Sequence, residues 1–226
     1  MKELSAYALT TLQEGEFTLY RGQSDGVAPI LLVAPTDEFP SPGSLQHLEH
    51  EYALGTDLDA NWAALPNRLI RRDARLMLVL DDPGGVPLER LLGRPLAVAQ
   101  FLRIAMPMAT AIGRMHARGL VHMDIKPGKV LVDVASGRAW LTGFCIASRL
   151  PREHQPAEPP EVIAGTLAYM APEQTGRMNR SVDARSDLYS LGVTSYEMLT
   201  GVLPFSAADP MEWIHRHIAR QPMPPG

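Results

Sequence analysis

The chain has 226 residues, 46% of them hydrophobic, enough to bury a real core and to exclude a disordered segment. Its 21 basic and 25 acidic residues leave a net charge of -4 with no basic block, which argues against nucleic acid as a partner. Cys145, the single cysteine, cannot close an internal disulfide, no apolar run approaches the roughly 20 residues that span a bilayer, and MKELSAYALT lacks a secretory core, so a reducing, cytoplasmic setting is expected.

In chain order, FTLY at 17 to 20 and ILLV at 30 to 33 are separated by Ser24-Asp25-Gly26, a hairpin signal, and predict two antiparallel strands. After the breaker-rich PTDEFPSPGS, Leu45, Leu48 and Tyr52 fall at helical spacing, so Leu45 to Leu54 predicts an amphipathic helix. LMLVL at 76 to 80 reads as an apolar strand that runs into the turn-rich connector Asp81-Asp82-Pro83-Gly84-Gly85. From Leu96 to His116 apolar residues recur at three- and four-residue steps before Gly119, the pattern of a mostly buried helix. Two short strands, Val130 to Val132 and Ala139 to Leu141, are hinged at Ala135-Ser136-Gly137, and the proline- and charge-rich residues 149 to 165 read as an exposed loop. Helices follow from Ser186 to Leu199 and from about Pro210 to Arg220; on the latter, His215 and His217 sit two apart and point to different sides, which argues against a metal site. Strands with one helix, then mainly helices, make an α+β arrangement of two unequal lobes, residues 1–80 and 81–226, with a cleft between them.

Five segments then stand in a telling order: HMDIKPGKVLV from His122, LTGFCIAS at 141 to 148, GTLAYMAPE at 165 to 173, SDLYSLGV at 186 to 193 and TGVLPF at 200 to 205. Together they resemble the serine/threonine protein kinase family, with its catalytic loop, its D-F-G position and its Ala-Pro-Glu segment. AGTLAYMAPEQTGRMNRSVDARSDLYSLGV is also similar to the N-terminal kinase-like module of large bacterial sensor histidine kinases. The resemblance implies a bilobal kinase-like fold, ATP as cofactor, and the other domains of a larger sensor or signalling protein as partners.

The resemblance also assigns roles, because phosphoryl transfer needs a hydroxyl-orienting base, metal ligands, a phosphate lysine and a covering loop. Asp124 matches the catalytic aspartate, Lys126 the lysine that steadies the transferred group, and Thr166 the Gly-Thr pair of the serine/threonine branch. The two magnesium-ligand positions hold Lys129 and Gly143, so magnesium is not expected and no metal ligand is assigned. Lys129 places a positive charge where the metal would sit. Only three lysines occur, Lys2, Lys126 and Lys129, so the phosphate lysine of the third strand is missing from ILLVAPT. Its acidic partner, Glu49 or Glu51, is expected to be left unpaired, and Arg21 is either a relocated cation or an edge-strand residue in solvent. Gly15 is the one glycine near a family glycine of the phosphate loop, while Gly22 and Gly26 serve the hairpin. An adenine-sized slot is expected between Leu80 to Gly85 and the strand at 130 to 132, with Leu80, Asp81, Lys129 and Leu131 lining a weak, magnesium-independent ATP site.

Met123 stands where the family has an arginine that clamps an activation-loop phosphate, and no serine, threonine or tyrosine lies between Ser148 and Thr166, so switching by loop phosphorylation is not expected. Asp187 matches the buried aspartate that holds the catalytic loop. Glu173 matches a carboxylate whose arginine partner lies on a later helix, past Gly226, so the C-terminal lobe is expected to be incomplete and Glu173 to lack a partner. The leading reading is a pseudokinase signalling module; the competing ones are an active serine/threonine kinase with atypical metal ligation and a purely structural relay.

Overall fold

The computed structural model describes residues 6–72, 75–149, 166–178 and 180–224. The first half is an antiparallel sheet of β1 (Ala8–Gln13), β2 (Phe17–Ser24), β3 (Val27–Pro35), β4 (Pro66–Arg72) and β5 (Arg75–Asp81), in the order β1-β2-β3-β5-β4. The predicted hairpin is the turn between β2 and β3, where Ser24 pairs with Val27 and Gly26 takes a positive φ of 69°. Two strands were not expected: ALTTLQ is mostly exposed, and PNRLIRR is dense in arginine, so neither shows a buried apolar alternation. Their partners β2 and β5 define them through the ladder, a tertiary cause that propensity does not record.

Between β3 and β4 runs α1 (Pro42–Ala53), whose N-cap Ser41 accepts the Ser44 N–H at 3.1 Å. It turns Leu48 and Glu51 inward, both 0% exposed. Leu48 joins Leu12, Leu19, Leu31, Val33, Leu76, Leu78 and Leu80 in the core of this half.

The second half begins with β6 (Val86–Pro87) and α2 (Val98–Ala117), which buries Ile104, Met108, Ala111, Ile112 and Met115 on one face. After β7 (Leu120–Val121), the predicted short strands are β8 (Val130–Asp133) and β9 (Arg138–Leu141), which pair with each other, with β6 on the other edge of β8. Then come β10 (Ser148–Arg149), paired with β7, and the helices α3 (Ala184–Thr200) and α4 (Pro210–Ala219). Asp183 caps α3 through the Arg185 N–H at 2.8 Å, and Gly201, at a φ of 76°, ends it. The loop expected at 149 to 165 falls, from residue 150 on, outside the described residues.

The sheet ends at Asp81, but the cores do not follow a cut at residue 80. Leu54, Leu58, Trp62 and Ala63 belong to the core of the helical half, with Met108, Met115, Leu141 and Phe144. Backbone bonds seal this crossing: Leu141 N–H donates to Trp62 O at 2.8 Å and Ala64 N–H to Leu141 O at 3.0 Å. The stretch after α1 therefore ties the sheet to the helical half. Among the described residues no helix is long and apolar enough to cross a membrane.

Candidate functional site

The segment that follows β7 is held by one carboxylate. Asp187, on the first turn of α3 and 0% exposed, accepts the backbone N–H of His122 at 2.9 Å and of Met123 at 2.8 Å, and bonds His116 Nε2 at 2.8 Å. Met123 is thereby fixed at a φ of 68°, a left-handed conformation that a residue with a long side chain rarely adopts. Its carbonyl is capped by Gln174 Nε2 at 2.7 Å, a contact from the Ala-Pro-Glu side that the sequence did not announce. This bend is what presents Asp124 to the cleft.

There the three candidate catalytic residues meet. Asp124 Oδ1 accepts the N–H and the hydroxyl of Thr166, each at 3.1 Å, while Lys126 Nζ lies 2.9 Å from Asp124 Oδ2 and bonds Thr166 Oγ1. Such a constellation can orient a hydroxyl and neutralise charge developing beside it. Next to it lies a small depression of about 90 Å³ lined by Glu89, Tyr169 and Glu197. Burial pushes both carboxyls up, and the Tyr169 hydroxyl donates to Glu197 at 2.7 Å.

The metal end is built differently. A side chain on Gly143 would place its Cβ 2.5 Å from Lys129 Nζ and 2.6 Å from its Cδ. The lysine chain therefore fills the volume that a ligand at 143 would need, and its ammonium offers no lone pair to a cation. The residues present do not fit magnesium. Glu51 is the inward carboxylate of α1, and the expectation that it stays unpaired is corrected. Glu51 Oε1 accepts Gly143 N–H at 3.2 Å, and Cys145 Sγ donates to Oε2 at 3.0 Å. In the absence of a β3 lysine the carboxylate turns to the 143–145 backbone, and burial with this negative neighbour pushes the Cys145 thiol well up. Glu49 points out toward Arg71, 3.9 Å away.

Of the residues expected to line an adenine slot, Leu80 and Leu131 are each 0% exposed and belong to one buried apolar cluster with Leu12, Leu19 and Leu31. Arg90 donates to Leu12 O at 3.0 Å and to Thr11 O at 2.6 Å, tying the helical half to β1. A Cβ on Gly128 would collide with the side-chain amide of Gln13, which lies over the 122–132 segment. Arg21 is neither a relocated phosphate cation nor an edge residue in solvent. It sits on β2, between β1 and β3, and grips Asp82 of the connector through two bonds of 2.5 and 2.9 Å. Asp81, exposed, accepts Asn67 Nδ2 at 2.9 Å. Gly15 occupies the turn between β1 and β2 outside the left-handed region, with its carbonyl held by Thr36 at 2.6 Å, so nothing in its surroundings requires glycine there.

Glu173 also has a partner, contrary to expectation: Ser186 Oγ donates to it at 2.6 Å within the fold described. Nearby, His217 ties α4 to the Thr166 segment. Its Nε2–H donates to Leu167 O at 2.8 Å and its Nδ1 accepts from the Tyr189 hydroxyl at 2.8 Å, inside a ring of Tyr189, Phe205 and Trp213. His122 is used alike, with Nε2–H on Thr142 O at 3.1 Å and Nδ1 receiving Asp124 N–H at 3.3 Å. In both rings the second nitrogen faces a donor, so the neutral form fits and burial holds each pKa below the usual 6.5. The unfolded chain then takes up these protons first as pH falls, so this stability is full above about 6.5 and declines below it. The raised carboxyls of Glu89 and Glu197 work with the opposite sign above their usual 4.5. The denaturant midpoint is expected to fall between about pH 7.5 and about pH 5.5 and to fall less in His217→Gln; equal slopes in both proteins would contradict this use of His217.

Comparison with known proteins gives a consistent result. Residues 65–223 match the model of the protein kinase domain. The serine/threonine-protein kinase Pkn1 of Myxococcus xanthus is 38% identical over 154 residues, 67% of this chain and 22% of the relative. PknB of Mycobacterium tuberculosis (strain ATCC 25618 / H37Rv) is 30% identical over 150 residues, 66% of this chain and 24% of the relative. PksC of Streptomyces coelicolor is 37% identical over 124 residues, 55% of this chain and 22% of the relative. The matched stretch thus spans less than a quarter of the length of each of these relatives.

Proposed function

The chain belongs to the protein kinase domain family, with a catalytic segment of the serine/threonine type, and we propose that it is a signalling domain that has kept the fold but does not transfer phosphoryl groups from magnesium ATP. The observation that carries this reading is the Lys129 side chain packed against Gly143, in the volume that a metal ligand at 143 would need. The missing β3 lysine acts in the same direction. Removal of each charge contact at such a site costs on the order of a few kcal/mol of transition-state stabilisation, and two such losses multiply to several powers of ten in rate.

In this reading the domain works as a folded module read by other parts of a larger sensor or signalling protein. Its cytoplasmic placement and its likeness to the kinase-like module of sensor histidine kinases are parts of the same proposal. A second reading, an active kinase with atypical metal ligation, is favoured by one observation: Asp124, Lys126 and Thr166 are fully assembled. Thermal unfolding with millimolar ATP separates the two. We expect a shift below about 1 °C, the same with and without magnesium, since a ligand held only weakly by the native state stabilises it little. A magnesium-dependent rise of several degrees would favour the active enzyme.

A further inference from the structure

A groove of about 290 Å³ runs between α2 and the turn that joins β8 to β9. Pro107, Thr110, Ala111 and Arg114 form its α2 wall, Gly137 and Arg138 its turn wall, and Trp62 its floor. Its charge sets it apart. On a chain with net charge -4, two guanidinium groups face the groove, and among the described residues neither Arg114 nor Arg138 takes part in an ion pair. The neighbouring carboxylates hydrogen-bond elsewhere, Asp59 with Arg118 at 2.7 Å and Asn61, and Asp133 with Ser136 at 2.6 Å; they feel the charges of Arg114 and Arg138 at longer range, which leaves the side-chain N–H groups of both arginines without a hydrogen-bond partner among the described residues. Arg138 is laid over the Trp140 ring, 4.6 Å from its centroid, which holds the guanidinium in place while leaving its N–H edge available.

We propose that this groove is a docking site for an acidic peptide segment of a protein partner. Its carboxylates bind Arg114 and Arg138, and an apolar side chain between them rests on Pro107 and Ala111. Arginine suits carboxylate through its planar, forked donors, and a groove near the lower end of ligand-site volumes takes one or two side chains, not a whole small molecule. A second depression of about 170 Å³ lies on the far side of Arg138 and carries the exposed Asp81, which repels a carboxylate; this favours the α2 end for the acidic part of the peptide. The site lies away from Asp124 and needs no nucleotide.

The test uses the full chain and a fluorescein-labelled, glutamate-rich peptide with two central leucines, followed by fluorescence anisotropy. Saturable binding is expected, weakened at least tenfold in Arg114→Glu/Arg138→Glu and by raising the salt from 0.05 to 0.5 M, and changed less than threefold in Arg114→Lys/Arg138→Lys. Arg138 lies on the Trp140 ring and stands opposite Asp133 across the β8–β9 ladder, so the glutamate pair should unfold below the parent, and anisotropy is read well below that temperature, where both proteins are folded. Binding that is unchanged by the glutamate pair, equal binding of a lysine-rich peptide, or no saturable binding below 1 mM would overturn the proposal.

Discussion

Asp187→Ala is expected to cost about 3–5 kcal/mol of stability, the range found when one partner of a buried charged cluster is removed. The carboxylate is 0% exposed and serves two backbone N–H groups and one imidazole, and the His122 N–H among them is left buried without a partner when it is removed. The loss is not only of bonds. Met123 holds a φ of 68° because Asp187 and Gln174 bracket it, and without the carboxylate that segment relaxes and carries Asp124 away from Thr166. Asp187→Asn keeps one acceptor and sets an amide N–H against a backbone N–H, so an intermediate cost is expected. Denaturant midpoints of the three proteins should fall in the order parent, Asn, Ala. An Ala variant within 1 kcal/mol of the parent would contradict this placement.

The connector between the lobes gives a second large effect, with an internal control. Gly84 and Gly85 both have positive φ, 91° and 73°. A Cβ on Gly85 would lie 2.6 Å from Val132 O and 2.7 Å from Val132 C, backbone atoms that cannot swing aside. On Gly84 it would meet nothing within 4 Å. Gly84→Ala therefore carries only the backbone term, roughly 1–2 kcal/mol. Gly85→Ala adds a displacement of β8 from β6 and should cost about 2–4 kcal/mol in all, by the usual range for overpacking. Thermal or denaturant midpoints check the difference, and equal losses would show that the connector is free to move away from β8.

How much of this was legible in the sequence depended on how local the cause was. The hairpin at Gly26, the helix ending at Gly201 and the pairing of 130–132 with 139–141 follow from turn chemistry and apolar periodicity, and all appear where predicted. β1 and β4 did not, since their pairing rests on strands far along the chain. At the site, Asp124, Lys126 and Thr166 were named from their motifs and are found together. Residues that act by reaching across the cleft carried no signal: Arg90 lies in LERL and Gln13 in ALTTLQ, and neither segment resembles a strap. The errors at Glu51 and Glu173 share one cause. Each was assigned to a family partner, and when that partner was absent the side chain was taken to be left over. In the fold, Cys145 with Gly143 N–H, and Ser186, take those places, while Arg21 found its partner in Asp82 of the connector. A buried carboxylate that loses its usual cation finds another donor, because staying unpaired costs more than repacking.

Lys129 and Gly143 also make a pair in the physical sense. Because the Lys129 chain fills the space over Gly143, Gly143→Asp alone pushes aside a flexible ammonium instead of creating a metal site. Lys129→Asn with Gly143→Asp frees the volume and restores two oxygen ligands, yet β3 still carries no lysine for the phosphates. Transfer of the γ-phosphoryl group from labelled ATP to a generic serine/threonine substrate, with millimolar magnesium and with Asp124→Asn as the control, measures the outcome directly. Incorporation by the parent chain is expected to equal that of Asp124→Asn; magnesium-dependent incorporation by the parent, lost in Asp124→Asn, would contradict the account.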